Sequence, residues 1–168
     1  LASDVFKGGD SSRGLLIAAR GVGAGLGPLL AARYTGGDIN KVLKVCGISS
    51  LIFSGCYLIG AWMPALILTA VFITIAHLGG GAQWTLSTYG LQLRSPDHVR
   101  GRILAGDFAL VTLTLSVTSA LAGIASELLG VRQAISVFAI AAALASVVYI
   151  KAIQRLRNLP QPQINAEP

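Results

Sequence analysis

Three ionisable side chains, Arg20, His77 and Asp107, lie within long apolar stretches of the chain, and Asp107 is close to one end of its stretch. Residues seven apart share a helix face, so His77 would lie on one face with Trp84 and Asp107 on another with Thr114. Ionisable and polar groups in apolar surroundings commonly contact a substrate or carry protons. They also make interhelical hydrogen bonds and charge pairs, and a lone histidine is often a packing residue. Both interpretations stay open from these residues alone.

The patterns of an enzyme active site are missing from the sequence. We find no paired carboxylates, no H-E-x-x-H and no serine–histidine arrangement at catalytic spacing. In the glycine-rich residues 20–28, a dinucleotide-binding G-x-G-x-x-G would need glycine in place of Leu26 or Pro28. Cys46 and Cys56 would lie roughly 15 Å apart on one helix, too far for a disulfide, and no C-x-x-C pair could hold a metal. We therefore expect no enzyme, no cofactor and no metal site.

The elements that carry these side chains must be membrane helices. Of the 168 residues, 54% are hydrophobic and only 12% are charged, whereas soluble domains carry about 25% charged residues. The net charge of +6 comes from short basic clusters between apolar runs, and this distribution does not suit a nucleic-acid-binding patch. The composition predicts an all-α integral membrane protein in contact with the lipid bilayer.

Five apolar windows have the roughly 20 residues that a membrane span requires. They are too long for strands, which seldom exceed about ten residues. The predicted spans are about 14–33, 42–62, 64–87, 103–126 and 132–151. Residues 1–13 would form the end of a preceding helix and an external loop, and residues 152–168 a cytoplasmic tail that is disordered at its end. The odd number of spans and the first residue, Leu1, predict that the chain continues a longer reading frame.

Basic residues are distributed unevenly between the two predicted faces of the membrane. One face collects nine of them: Arg33, Lys41, Lys44, Arg94, Arg100, Arg102, Lys151, Arg155 and Arg157. The other face has Lys7, Arg13 and Arg132. Because cytoplasmic loops are enriched in Lys and Arg, we expect a multi-pass protein of the cell membrane with its N-terminal end outside and its tail in the cytoplasm.

Glycine is concentrated at two places in the predicted spans. Two overlapping G-x-x-x-G pairs, Gly21/Gly25 and Gly23/Gly27, precede Pro28, and three glycines, Gly79, Gly80 and Gly81, follow one another in the third span. Small residues let a neighbouring backbone approach closely, and proline removes a helical hydrogen bond. The pattern predicts tight helix packing, or a bendable helix that moves during gating.

The loop after the third span carries a resemblance to a known family. Residues 79–85 and 91–103 resemble the tenth helix and following loop of the major facilitator superfamily, in particular its drug–proton antiporters and its macrolide and siderophore exporters. The loop matches at Gln92, Pro96, Asp97, Arg100, Gly101 and Arg102. Residues 21–28 with Arg33 resemble the eighth helix, so the five spans would correspond to helices eight to twelve of a C-terminal fragment. Residues 33–38 lack the fuller basic signature of many members.

This resemblance implies a fold, a function and roles for particular residues. The fold would be a major-facilitator-type helical bundle, and Arg20, His77, Asp107, Trp84 and Thr114 would lie along its transport pathway. Residues 97–102 would form a cytoplasmic gate, in which Asp97 caps the next helix while Arg100 and Arg102 reach a carboxylate or a helix C-terminus. Simple positive-inside charge is the alternative for this loop.

The function implied is secondary active transport, with proton-coupled efflux of a small molecule such as a drug or siderophore by alternating access. The partners would be the substrate, protons and the missing N-terminal helices of the same transporter. The alternative is a stand-alone helix-packing or regulatory membrane protein without transport activity.

Overall fold

The computed structural model describes residue 2, residues 5–6 and residues 8–157. These residues form five α-helices and no strand, and each helix is long and apolar enough to cross a membrane. The helices are α1 (Asp10–Thr35), α2 (Ile39–Gly60), α3 (Leu66–Arg94), α4 (Arg100–Leu129) and α5 (Val131–Arg157). The prediction of an all-helical membrane fold is therefore confirmed.

The ends of the helices differ by several residues from the ends of the apolar windows. α1 begins at Asp10, within the expected external loop, and α3 continues to Arg94 rather than residue 87. Helical hydrogen bonding does not stop where the apolar segment stops, so hydropathy marks the span and not the helix end. Residues 152–157 of the predicted tail belong to α5, and the rest of that tail, residues 158–168, lies outside the described residues.

Short turns join consecutive helices. Gly36 ends α1 in the left-handed conformation, with φ of 54°, and donates its N–H to Ala32, as a glycine after a helix commonly does. Asp38 then caps α2 by accepting from the backbone N–H groups of Asn40 and Lys41 at 2.9 and 3.4 Å. Gly130, with φ of 87°, alone separates α4 from α5.

α3 lies between α1 and α2 and packs closely on both. A Cβ placed on Gly27 of α1 would overlap the backbone of Leu78, and one placed on Gly81 of α3 would lie 2.5 Å from the carbonyl oxygen of Ala24. On the other side of α3, a Cβ on Gly79 would lie 2.5 Å from the carbonyl oxygen of Ser49 in α2. Consecutive glycines thus allow α3 to approach two helix backbones at once.

These contacts fix the relative directions of the helices. α1 and α3 run parallel, because Gly23 lies against Thr74 and Gly27 against Leu78. α2 runs antiparallel to both. α5 in turn runs antiparallel to α2, and the hydroxyl of Ser146 in α5 donates a hydrogen bond to that of Ser50 in α2 at 2.7 Å. The buried core lies where α1, α2 and α3 meet, at Ala31, Val42, Cys46, Ala82 and Leu86.

This topology brings the basic residues of several helices to one end of the bundle, which we call the basic end. The end of α1, the start of α2, the end of α3, the start of α4 and the end of α5 all lie there. The basic end carries Arg33, Lys41, Lys44, Arg94, Arg100, Arg102, Lys151 and Arg155. At the opposite end the described residues include Arg13 and Arg132.

α4 differs from the other helices because none of its residues is buried. It packs mainly on α5 and only slightly on α3. Its large side chains are exposed around the helix, among them Phe108, Leu110, Leu113 and Leu121. Most of the surface of α4 therefore contacts no other described residue.

Candidate functional site

A cleft of about 570 Å³ opens between α1, α3 and α4, and Phe53 of α2 contributes to its wall. Three of the residues predicted for a transport pathway, Arg20, His77 and Trp84, line this cleft together. They come from two helices, with Arg20 on α1 and the other two on α3. The remaining polar side chains in the wall are Gln83, Thr85 and Ser87 of α3.

The close packing of α1 on α3 positions the two ionisable groups. Gly23 has no side chain to hold the helices apart, and a Cβ there would lie 2.9 Å from the Cβ of His77. Arg20 precedes Gly23 by three residues, so its side chain starts about one turn from the level of His77. Pro28, inside α1, lines the cleft further toward the basic end.

Only one of the two predicted glycine pairs takes part in this contact. Gly23 and Gly27 both meet the backbone of α3. A Cβ placed on Gly21 or Gly25 would have no described atom within 4 Å, apart from the neighbouring backbone of α1 itself. Because residues two apart on a helix face different directions, the pairs cannot both lie on the α3 side.

His77 is held in place by aromatic residues of α2. Its Nε2 atom lies 2.9 Å from the hydroxyl of Tyr57, and its ring packs edge-on against Phe53 with centroids 5.4 Å apart. Only 9% of His77 is exposed. Tyr57 and Phe53 were not among the residues predicted from the sequence, although their i, i+4 spacing places them on one face of α2.

Arg20 lies about 15 Å along α1 from its first residue, Asp10. The ion pair found among the described residues joins Asp97 and Arg100, so Arg20 has no carboxylate partner in this part of the chain. Its side chain is exposed to the cleft.

Asp107 and Thr114 are not part of the cleft wall. Both lie on α4 and are exposed, and the Thr114 hydroxyl donates to the carbonyl of Leu110 at 2.8 Å within its own helix. Val111, one turn from Asp107 on the same face, is the α4 residue that lines the cleft. Asp107 therefore faces the same side as Val111 but lies nearer the basic end.

The loop at the basic end is organised around Arg100. Its Nη2 atom donates to the carbonyl oxygen of Ser95, the C-cap residue of α3, at 3.2 Å and also forms an ion pair with Asp97. Arg100 thus reaches both a carboxylate and a helix C-terminus. Gly101 and Arg102 lie exposed in the first turn of α4, and no hydrogen bond or ion pair joins the Arg102 side chain to another described residue.

The expectation that Asp97 caps α4 is wrong. The N-cap of α4 is Val99, and no side chain makes a cap hydrogen bond there. α4 begins at Arg100, so Asp97 lies two residues before the position whose side chain could reach the first free N–H groups. Its carboxylate pairs with Arg100 instead.

A second cluster that was not predicted joins the loop between α2 and α3 to the start of α5, at the end opposite the basic end. Arg132 of α5 donates to the carbonyl oxygen of Met63 at 3.3 Å and lies over the ring of Trp62. The indole N–H of Trp62 donates to Ser136 at 2.9 Å. The signal in the sequence was weak, because tryptophan and arginine near a membrane surface are common.

The described residues contain no group of three or more His, Cys, Asp or Glu side chains arranged to hold a metal ion. Both cysteines are free. Comparisons of the chain with protein-family models, with curated proteins and with solved structures find no match. The likeness to the major facilitator superfamily therefore rests on the residues quoted from the sequence.

Proposed function

We propose that this chain is part of a secondary active transporter that exports a small molecule in exchange for protons. The observation that carries the proposal is the cleft, in which Arg20 and His77 line one space between helices that are long and apolar enough to cross a membrane. Its volume of about 570 Å³ lies within the range of small-molecule sites, roughly 300–1,000 Å³.

The free energy needed to place the charge of Arg20 inside a membrane supports this proposal. A charged side chain near the centre of a membrane helix costs about 2.5–3.5 kcal/mol on insertion scales, unless it faces a polar cavity or a partner. Arg20 faces the cleft and has no carboxylate partner among the described residues. A ligand in the cleft would give this guanidinium a partner that the described residues do not supply.

The exposed surface of α4 supports the proposal that further helices complete the passage. Phe108 and Leu121, on different sides of α4, are 64% and 51% exposed, and Asp107 lies on the same helix. An acidic group facing lipid is unfavourable, so we propose that α4 packs against other helices of the same transporter. These would be the N-terminal helices that the superfamily resemblance implies.

Proton coupling is proposed to involve His77 and Asp107. His77 lies in the cleft wall, so a change in its charge would act directly on a bound substrate. Asp107 lies on α4 outside the wall, where it would act when α4 moves relative to α1 and α3. The Arg100 contacts would hold the ends of α3 and α4 together in one state of the cycle. With the basic end in the cytoplasm, the cycle would move substrate outward.

Transport can be tested with the full natural polypeptide that carries this sequence, reconstituted in liposomes with a pH-sensitive dye inside. The probes are two cations of different shape, ethidium and the basic macrolide erythromycin, and one anion, 2-naphthylacetate. We expect at least one probe to cause proton movement that a protonophore abolishes and that Arg20→Gln reduces. The matched variant Arg13→Gln, on the same helix but outside the cleft wall, should leave the flux unchanged.

Absence of proton-coupled flux with all three probes, from protein shown to be folded and inserted, would contradict the proposal. It would favour the alternative, a membrane protein that acts through helix packing alone.

A further inference from the structure

The cleft has one permanent charge, and that charge is positive. Arg20 is the only Lys, Arg, Asp or Glu among the described residues that line it. The carboxylate of Asp107 lies on α4 outside the wall, and Asp97 is paired with Arg100 at the basic end. A ligand in this cleft therefore meets a guanidinium that no described carboxylate neutralises.

The wall also supplies a neutral hydrogen-bond donor. When Tyr57 donates its hydroxyl proton to Nε2 of His77, the neutral imidazole carries its own proton on Nδ1. That N–H lies on the side of Gly80, which lines the cleft beside His77. An oxyanion could accept from this donor and from Arg20 at once, and hydrogen bonds between charged partners are the stronger kind.

Aromatic surface is available at the opposite end of the same cleft. Trp84 lies there and is 56% exposed, whereas Phe53 contributes a second ring to the wall beside His77. His77 precedes Trp84 by seven residues, and Arg20 starts about one turn on the other side of His77. The positions of Arg20 and Trp84 are thus about 15 Å apart along the helix axes. Because both side chains are long, the distance that a ligand must span between the guanidinium and the indole ring is shorter.

From this arrangement we infer that the cleft binds an organic anion that carries an aromatic ring. The anionic group pairs with Arg20 and accepts from His77, and the ring packs on Trp84. A cation of the same size is disfavoured, because it would bring a second positive charge beside Arg20 in surroundings of low dielectric constant. This inference names the substrate class of the transporter proposed above. Binding of the anion does not depend on the proposed function; only its transport does.

Binding can be measured without transport, using the full polypeptide in nanodiscs and isothermal titration calorimetry. The three probes are 2-naphthylacetate, the matched cation 2-(2-naphthyl)ethylamine and the non-aromatic anion cyclohexylacetate, each corrected for binding to empty nanodiscs. We expect 2-naphthylacetate to bind at least about tenfold more tightly than either of the others. Equal affinity for the naphthyl anion and cation would overturn the inference.

Amino-acid substitutions test the cationic part of the site, Arg20, and the aromatic part, Trp84, separately. Arg20→Gln should weaken 2-naphthylacetate binding about tenfold or more, Arg20→Lys less, and the control Arg13→Gln not at all. Trp84→Leu should remove the preference for 2-naphthylacetate over cyclohexylacetate while the preference for anion over cation persists. The variants are compared only where gel filtration shows a single folded species. Unchanged binding in Arg20→Gln, with Arg20→Lys also unchanged, would overturn the inference.

The inference and the proposed function can fail separately. Anion-selective binding without any proton-coupled flux would support the ligand class and contradict transport. Proton-coupled flux of ethidium but not of 2-naphthylacetate would support transport and contradict the ligand class.

Discussion

At the scale of single residues, the positions without a side chain determine how closely the helices pack. Gly27 lies against the backbone of Leu78, and backbone atoms cannot move aside as the end of a flexible side chain can. Gly25 lies two residues away on the same helix with open space around it. The same substitution at these two positions should therefore have very different effects.

Gly27→Leu should destabilise the bundle by about 1–3 kcal/mol, the usual cost of overpacking. Gly25→Leu should change stability little, because its new side chain meets no other helix of the described structure. In a Cys56→Ala background, thermal unfolding in detergent can be followed with a thiol-reactive dye, since the remaining Cys46 is buried in the folded protein. Equal melting temperatures for the two variants would contradict the close packing of α1 on α3.

Asp107→Asn tests the acidic group on α4. The substitution keeps the size of the side chain but removes the proton-accepting carboxylate, so it should reduce energy-coupled efflux by the full protein without reducing membrane insertion. Efflux from vesicles is compared with the amount of inserted protein, and Thr112→Val serves as a control on the same helix. Unchanged efflux would remove Asp107 from the mechanism.

The site residues differ in how far the sequence alone identifies them. Arg20 and His77 stand out because an ionisable residue in an apolar stretch is rare and needs a partner or a cavity. Tyr57 and Phe53 do not, since aromatic residues are ordinary in such stretches. That Asp107 is outside the cleft wall depends on how α4 packs, which no local pattern in its sequence encodes.

At the scale of the elements, hydropathy predicts the existence and order of the five helices but not their ends. The span from 103 to 126 became a helix from Arg100 to Leu129 because its first turn continues into the loop at the basic end. There Arg100 bonds Ser95 and pairs with Asp97, whereas Arg102 has no such contact among the described residues. Two arginines of the same sequence motif therefore make different contacts in the structure.

Arg100→Gln should loosen the turn between α3 and α4, since it removes the charge that joins Asp97 to the last turn of α3. We expect faster amide hydrogen exchange over residues 95–99 and a smaller effect, within about twofold, for Arg102→Gln. Hydrogen exchange with mass spectrometry on the full protein measures both variants under the same conditions. If the two variants exchange alike, the loop carries only its positive-inside charge.

At the scale of the whole molecule, the helix directions collect the basic residues at one end and leave α4 largely uncovered. The first feature follows from the sequence, because alternating spans with basic loops can be counted without coordinates. The second does not, since the composition of α4 is as apolar as that of its neighbours. Together they describe a helical unit with a cleft on the α4 side and a face that further helices would cover.

The central claim is that this cleft opens to each side of the membrane in turn, and single-cysteine labelling tests it most directly. In the full protein with Cys46→Ala and Cys56→Ala, Thr85→Cys places a thiol in the cleft wall. Leu144→Cys places a control thiol on the exposed surface of α5, in mid-helix. Right-side-out and inside-out vesicles are treated with a membrane-impermeant maleimide. We predict that Thr85→Cys is labelled from both sides and Leu144→Cys from neither. Labelling of Thr85→Cys from one side only, under every ligand and pH condition tried, would contradict alternating access.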